Sequence, residues 1–203
     1  MLAHYHHDDL PEGLALGNLV AVDTETMGLN PWRDRLCVVQ LSAGDGVCHV
    51  VHLHGDYAAP RLRALLADPL VTKIFHFARF DVAMISRWLG IVCSPVYCTK
   101  IASKLIRTNV ERHGLKDVCR DLLGIEVSKQ QQSSDWGVAE LSPAQVDYAA
   151  GDVLHLHALK RQLDILLVRE GRYDLAMACF AFMPHRAALD LGGWADESDI
   201  FAH

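Results

Sequence analysis

Four acidic residues and one tyrosine, spread over about 130 positions, are the residues of this chain best suited to chemistry. Asp23 and Glu25 follow one apolar run, and Asp81 follows another. Tyr148 and Asp152 lie four positions apart in a helical stretch. An ionised carboxylate resists burial unless it is paired or bound to a metal, and its hard oxygens suit Mg²⁺ or Mn²⁺. The set predicts a two-metal phosphodiesterase.

The spacing of these residues matches what phosphodiester hydrolysis requires. Two divalent ions about 3.5–4 Å apart can activate a water, neutralise the phosphoryl oxygens and stabilise the leaving oxygen. The pair Asp23 and Glu25 supplies a bridging and a terminal ligand, and Tyr148 can orient the attacking water from one helical turn before Asp152. An unperturbed tyrosine, with a pKa near 10, orients a water and does not deprotonate it. Each motif alone also occurs as surface charges or helix caps, so the prediction depends on their order and separation.

The predicted elements place these side chains at one edge of a sheet. Residues 19–24 read as a buried strand, and 36–41 and 47–53 read as strands joined by a glycine-containing hairpin, hence antiparallel. A fourth strand is predicted at 72–77. Helices are predicted at 60–66, 81–89, 99–107, 115–123, 142–170 and 173–189. This order predicts an α/β fold, with a mixed β-sheet flanked by helices.

The length and composition limit the classes of protein to which this chain can belong. The 203 residues, about half of them apolar, are enough for one domain over 1–203. No signal peptide is recognised at the start, and no apolar run reaches the roughly 20 residues of a membrane span. The six cysteines form no Cys-x-x-Cys motif and are expected to be reduced thiols. We therefore expect a cytoplasmic protein.

The charge pattern indicates a short anionic ligand. A net charge of −6 argues against a protein that binds long nucleic acid, because such binding needs many lysine and arginine contacts to phosphates. The segment 100–120 is nevertheless basic, and Lys100, Lys104 and Arg107 share one helix face. This face is either a solvated surface or a small phosphate-collecting surface, and the sequence leaves both readings open.

Three motifs carry a family resemblance. The segment 23–29, the pair Phe80-Asp81 and the pair Tyr148-x-x-x-Asp152 resemble the exonuclease motifs of the DEDD superfamily, tyrosine branch, on a ribonuclease H-like fold. Segments 113–117 and 134–136 further resemble ribonuclease D. The resemblance to the short bacterial nanoRNase C group is closer, and it extends over nearly the whole chain, through segments 30–41, 73–81, 98–103, 128–136 and 199–203.

The resemblance implies a role for each catalytic residue. Asp23, Glu25 and Asp152 would hold the first metal, with Asp23 bridging to the second. Asp81 would support the second ion, and Tyr148 would position the nucleophile.

It also implies substrate-binding residues. Leu29 matches a leucine that wedges between the two terminal bases, although a leucine that caps the core under a glycine turn fits the sequence equally well. His76 and Phe77 stand where many relatives carry an asparagine, so the contact to the sugar or base is left open. Lys129 and Gln132 are candidates for capping a 5′-phosphate, or belong simply to a polar loop. Arg107 is the candidate from the basic segment.

The resemblance to the nanoRNase C group implies that the protein is a metal-dependent 3′–5′ exoribonuclease. It would degrade diribonucleotides to 5′-mononucleotides and would assemble as a homo-octamer. Ribonuclease D proper carries extra helical domains that grip structured RNA, and we expect none here. The C-terminal helix and tail, about 171–203, are expected to serve oligomerisation or to pack on their own subunit. The alternatives are broader ribonuclease D-like trimming, a single-strand DNA exonuclease, or a non-catalytic RNA-binding module.

Two further clusters are interpreted without function. The N-terminal histidines His4, His6 and His7 are expected to form a solvated, mobile tail rather than a metal site. Gly44 and Gly46 are expected to form a hairpin turn rather than a phosphate loop, because no helix start follows them.

Overall fold

The computed structural model describes residues 2–128, 130–131, 133–195 and 200. These residues form a six-stranded sheet in the order β1-β4-β3-β2-β5-β6. The strands are β1 (Leu2–His7), β2 (Leu19–Thr26), β3 (Leu36–Ser42), β4 (Val47–His52), β5 (Thr72–Phe75) and β6 (Val96–Cys98). The helices are α1 (Pro60–Ala67), α2 (Ala78–Leu89), α3 (Thr99–Ile106), α4 (Leu115–Leu123), α5 (Pro143–Leu154), α6 (Leu156–Arg169) and α7 (Tyr173–Leu191).

The sheet is mixed, and the predicted fold class is confirmed. Strands β2, β3 and β4 form an antiparallel meander, whereas β1 pairs with β4, β5 with β2, and β6 with β5 in parallel. Strand β3 is buried along its whole length, because helices cover both faces of the sheet. The β3–β4 turn is the predicted hairpin, with Gly44 and Gly46 at φ values of 82° and 87°, a region that strongly favours glycine.

Two helical layers enclose the strands that carry the acidic residues. Helix α5 packs across β1, β2, β3 and β4, and α2 contacts β2, β3, β5 and β6 and packs against α7. Side chains alternate along β2, so Asp23 and Glu25 face one side and Thr24 faces the other. Thr24 contacts α2, and Asp152 on α5 lies near Asp23, so α5 and α2 lie on opposite faces. Within the described ranges, no helix combines the length and apolar character needed to cross a membrane.

The predicted solvated N-terminal tail is wrong. Residues 2–7 form the edge strand β1, whose register pairs His4 with His49 and His7 with His52. This pairing joins positions about 45 residues apart, so no local turn signal announces it. The histidine-rich sequence also lacks the apolar alternation by which a half-buried strand is recognised.

Two other element predictions need correction. The long helix predicted from 142 to 170 is interrupted at His155, between α5 and α6, although its predicted start at Ser142 is confirmed by a capping box with Gln145. His157 in the first turn of α6 bonds through Nε2 to the carbonyl of Leu19, 3.0 Å away, and this tertiary contact helps to set the direction of α6. The three-residue strand β6 was not predicted, because it is too short for a period-2 pattern.

Candidate active site

Three of the predicted carboxylates converge. Asp23 and Glu25 project from β2 toward α5, and Asp152 on α5 meets them. One carboxylate oxygen from each of the three lies within 4.8 Å of the others. Residues two apart in a strand share a face, so the local spacing predicted the first pair. Only the packing of α5 on β2 brings the third ligand to them.

The fourth carboxylate approaches from α2. Asp81 is 3% exposed, and its Oδ1 accepts a hydrogen bond of 2.6 Å from the hydroxyl of Thr24. It lies in the first turn of a helix that begins at Ala78, three residues earlier than predicted. Thr24 was not predicted as a site residue, although its position between Asp23 and Glu25 places it on the opposite face of β2 and hence toward α2. Thr24 therefore links the two halves of the acidic cluster.

The electrostatics of the cluster make it suitable for binding cations. Burial, reinforced by the charges of its acidic neighbours, raises the pKa of Asp23 well above its ordinary value. The same two causes raise the pKa of Glu25 to about 9 and that of Asp81 to about 7. Burial also raises the pKa of Asp152 to about 7. Buried carboxylates resist joint ionisation unless positive charge is supplied, so this donor set fits divalent cations with hard oxygen preference.

Tyr148 stands beside the carboxylates as predicted. Its hydroxyl interacts with the carboxyl of Asp152, one helical turn later on α5, and this interaction lowers the pKa of Asp152. Burial, followed by the charges of Asp152 and Glu25, raises the pKa of Tyr148, so the phenol stays protonated at neutral pH. The ring lies 6.0 Å from that of the buried Trp136, a contact that helps to hold its orientation.

Asp23, Glu25 and Asp152 line a cavity of about 290 Å³, which we call the acidic cavity. It is lined by Asp23, Thr24, Glu25, His76, Lys100, Gly114, Leu115, Lys116, Val127, Ser128, Tyr148 and Asp152. This volume lies at the lower end of the range of small-ligand pockets.

In the structure, basic residues of segment 100–120 line two different pockets and do not form one surface. Lys100 and Lys116 line the acidic cavity. Arg107 instead pairs with Asp121, with its side chain only 10% exposed, and lines a separate pocket. Helical spacing predicts which charged side chains share a face, but it does not predict which of them form ion pairs with carboxylates elsewhere in the fold. The two lysines are therefore stronger candidates for contacting phosphate than Arg107.

A second cavity borders the first, and we call it the apolar groove. Its volume is about 560 Å³, and its lining includes Leu29, Pro31, Trp32, Phe77 and Phe80. Leu29 is 82% exposed, so the alternative that it caps the core is wrong. Large exposed apolar side chains grouped in this way mark a binding surface more often than chance.

Adjacent residues at the start of α2 connect the two cavities. His76 lines the acidic cavity, its Nδ1 lies 2.8 Å from the hydroxyl of Thr99, and burial lowers its pKa to about 4, so the ring is neutral. Phe77 lines the apolar groove at a φ of 76°, a strained conformation for a bulky residue. The ammonium of Lys100 lies 4.0 Å from the centre of the Phe77 ring, at cation–π distance. Lys129 and Gln132 lie outside the described residues.

Fold and site together define a ribonuclease H-like exonuclease. The described sheet is mixed and flanked by helices, and acidic side chains from β2, α2 and α5 lie together on it. A model of the 3′–5′ exonuclease family matches residues 6–167.

Comparison with solved structures assigns the chain to a particular group within this family. The chain is 55% identical to NrnC of Brucella melitensis in a structure bound to pGG, with a TM-score of 0.94, covering 100% of this chain and 99% of that one. A structure of the same protein with bound Mg²⁺ matches at 53% identity and a TM-score of 0.93, with 100% of both chains covered. The chain therefore belongs to the 3′–5′ exonuclease family, in the NrnC-like group, as its motifs indicated.

More distant relatives extend beyond this chain. A Ribonuclease D of Granulibacter bethesdensis is 35% identical over 153 residues, which are 75% of this chain and 38% of the relative. The chain spans about two fifths of the length of the curated Ribonuclease D relatives it matches. Ribonuclease D of Escherichia coli shares the fold, with a TM-score of 0.73 at 23% identity, covering 84% of this chain and 45% of that one.

Proposed function

We propose that this protein is a metal-dependent 3′–5′ exoribonuclease that hydrolyses very short RNA, chiefly diribonucleotides, to 5′-mononucleotides. The observation that carries the proposal is the convergence of Asp23, Glu25 and Asp152 within 4.8 Å, beside the protonated Tyr148. The protein to which the chain is 55% identical over its full length binds the dinucleotide pGG, which supports the substrate class.

The chain's own residues divide the work of hydrolysis. Asp23, Glu25 and Asp152 would hold one cation. By family resemblance, Asp23 and Asp81 would help to hold a second. Two bound divalent ions would supply charge neutralisation on the phosphoryl oxygens and a lowered pKa for the attacking water. Thr24 holds Asp81 in place through its hydroxyl.

Tyr148 orients the attacking water. A protonated phenol can donate one hydrogen bond and accept another, so it can fix the direction of a water without removing its proton. The phenol lies at the wall of the acidic cavity beside Asp152, where the proposed metal ligands lie. We assign the residue to positioning of the nucleophile rather than to general-base catalysis.

The residues around the cluster would recognise the substrate. Lys100 and Lys116 offer positive charge to a phosphate within the acidic cavity. Leu29 and Phe77 expose apolar surface in the neighbouring groove, where bases can stack or wedge. His76, a neutral ring in the acidic cavity, would contact the terminal sugar or base.

We also propose three further substrate-binding residues. Lys129 and Gln132 keep their proposed role in capping the 5′-phosphate, on the basis of family resemblance alone. Arg107, whose guanidinium is paired with Asp121, would act on the substrate only at long range.

Assembly and location complete the proposal. We propose that residues 1–203 act as one exonuclease domain and that the chain assembles as a homo-octamer through its C-terminal helix and tail, 171–203. An exposed apolar surface at the end of α7 supports this use, and it is lined by Phe182, His185, Ala188, Leu189, Trp194 and Ile200. Six free cysteines, five of them buried, suit a reducing cytoplasm.

A time course on 5′-phosphorylated RNA of two to ten nucleotides tests the function. With Mg²⁺ or Mn²⁺ present, we expect the dimer to be consumed fastest and to yield only 5′-mononucleotides, and EDTA to stop the reaction. Dimers that persist while longer strands disappear would favour broader ribonuclease D-like trimming. Equal rates on single-stranded DNA would favour a general single-strand exonuclease, and no cleavage with either metal would leave an RNA-binding module.

A further inference from the structure

Half of the chain's twelve histidines lie at the β1 edge of the sheet. They are His4, His6, His7, His49, His52 and His54, on β1, on β4 and just beyond β4. Register pairs His4 with His49, and residues two apart in a strand share a face, so His6 joins them. His7 and His52 face the other way, toward the side of the sheet that α5 covers. The edge therefore carries two separate groups of imidazoles.

In the group on the α5 side, three of the six ring nitrogens form hydrogen bonds. His52 Nδ1 bonds to the hydroxyl of Tyr5 at 2.5 Å. His54 bonds through Nδ1 to the carboxylate of Asp8 at 3.2 Å and through Nε2 to the carbonyl of Ala139 at 3.1 Å. These contacts give His52 and His54 structural roles, and the His7 ring stacks on that of His54 with 5.4 Å between the ring centres.

On the opposite face three imidazole rings lie together, and we call His4, His6 and His49 the histidine triad. His6 Nε2 and His49 Nδ1 lie 3.0 Å apart. The His49 ring centre lies 5.2 Å from that of His6 and 5.3 Å from that of His4, in stacked arrangements. Within the part of the chain that the structure describes, the triad's ring nitrogens make no other hydrogen bond.

The separation of the two central nitrogens matches shared metal coordination. Zinc binds imidazole nitrogen at about 2.0–2.1 Å in a tetrahedron, which places two such nitrogens about 3.3 Å apart. His4 sits directly across from His49 and two residues from His6, so its ring can reach the same point. The triad is not preassembled, since among the described residues only the carboxylates Asp23, Glu25 and Asp152 already bring three ligand atoms within 4.8 Å. His4 is exposed, so its ring can rotate into place at little cost.

We propose that His4, His6 and His49 form a binding site for a borderline transition-metal ion, Zn²⁺ above all, on the face of the sheet away from α5. Three imidazoles with one open position are an established zinc ligand set. Imidazole favours zinc-type ions, whereas carboxylates favour magnesium and manganese, so this site and the acidic cavity would select different metals. The ion would tie the edge strand β1 to β4, joining two segments more than 40 residues apart in sequence.

Titration of the tag-free full-length protein with Zn²⁺, followed by calorimetry, tests the site. Excess Mg²⁺ keeps the acidic cavity occupied, and repeating the titration in an Asp152→Asn background removes zinc binding there. We expect one zinc ion per chain, a dissociation constant in the micromolar range or tighter, and a rise in melting temperature of about 5 °C at saturating zinc. Loss of a protein ligand in His6→Gln or His49→Gln should weaken binding on the order of 100-fold.

Matched controls come from the histidines on the α5 side of the same sheet edge. His7→Gln and His54→Gln remove an imidazole from the same edge and should bind zinc as the unaltered protein does. Circular dichroism without metal checks that each variant is folded. The proposal is overturned if the unaltered protein binds no stoichiometric zinc, if His6→Gln and His49→Gln bind it normally, or if the control variants lose it equally. Hydrolysis of RNA with Mg²⁺ is measured separately, so failure here leaves the proposed exonuclease function untouched.

Discussion

The acidic cavity and the apolar groove lie side by side but differ in what they contribute to the fold. The acidic cavity, of about 290 Å³, gathers carboxylates whose pKa values are raised by burial and mutual repulsion. The groove, of about 560 Å³, exposes leucine, tryptophan and phenylalanine side chains that could have been buried. Each is unfavourable for the folded chain alone and becomes favourable when occupied, one by cations and the other by apolar faces of a ligand.

The contrast between the two cavities suggests a division of roles: the acidic cavity for cleavage of the phosphodiester and the apolar groove for selection of the substrate. The charged cavity contains the groups that we propose act on a phosphodiester, and such groups would act on any strand that reaches them. The lining of the groove contains no carboxylate of the cluster, so we assign the groove to binding. Phe77 and Lys100 lie at the border, where a single cation–π contact joins the two. The following predictions test this division.

The largest effect is expected from the carboxylates. Asp23→Asn should lower kcat by at least about 10³-fold, because it removes the ligand proposed to face both cations. Hydrolysis of pGG, followed by chromatography of the products, measures the loss. Glu12→Gln alters an exposed acid elsewhere and should leave the rate unchanged. Asp23→Asn retaining a tenth of the activity would show that another residue bridges the ions.

A smaller loss is expected at the tyrosine. Tyr148→Phe removes the hydroxyl but keeps the ring against Trp136, so kcat should fall about 10- to 100-fold while KM changes little. Tyr173→Phe, at the start of α7, provides the control. Should KM rise while kcat stays constant, Tyr148 would belong with the selecting residues instead.

The groove should affect binding rather than turnover. Leu29→Ala or Phe77→Ala should raise KM for dinucleotides about 5- to 20-fold, because stacking or wedging of a base is worth about 1–3 kcal/mol. Leu70→Ala is a matched control, since Leu70 and Leu29 are both 82% exposed but Leu70 lies outside both cavities. The division into cleavage and selection fails if Leu29→Ala lowers kcat as much as Tyr148→Phe does.

The acidic cavity should also give the metal-free protein an unusual pH dependence. Between about pH 4 and the raised pKa values, near 7 for Asp81 and Asp152 and near 9 for Glu25, the folded state binds more protons than the unfolded state. Stability must therefore fall as pH rises through this window, and bound Mg²⁺ should reverse the fall. Melting curves in EDTA and in Mg²⁺ from pH 5 to 9 should diverge by several degrees at the alkaline end. If the melting temperatures in EDTA and in Mg²⁺ differ by the same amount at every pH, then repulsion among the carboxylates does not destabilise the metal-free protein.

The smallest effect is expected at Arg107. Its guanidinium is paired with Asp121 outside both cavities, so Arg107→Ala should change KM less than about 2-fold. Lys100→Ala, on the same helix but lining the acidic cavity, should raise KM more. Equal increases in the two variants would restore the basic helix face as one phosphate-collecting surface.

Local patterns predicted much of the fold and of the site. The hairpin after β3, the cap at Ser142 and the shared face of Asp23 and Glu25 each follow from residues near one another in sequence. The edge strand β1 and the break at His155 do not, because both depend on partners far along the chain. Long-range pairing is a property of packing, which a single local pattern does not encode.

The amino-acid sequence by itself determined which chemical groups are available: four carboxylates, a tyrosine and the motifs of a 3′–5′ exonuclease. Only the tertiary structure decided which of them meet. It placed Lys100 and Lys116 in the acidic cavity and Arg107 on Asp121, and it left Leu29 exposed rather than in the core. It also brought His49 to His6 and His4 across a parallel strand pair. The physical reason is that backbone periodicity sets the face on which a side chain lies, whereas the packing of distant elements sets its neighbours.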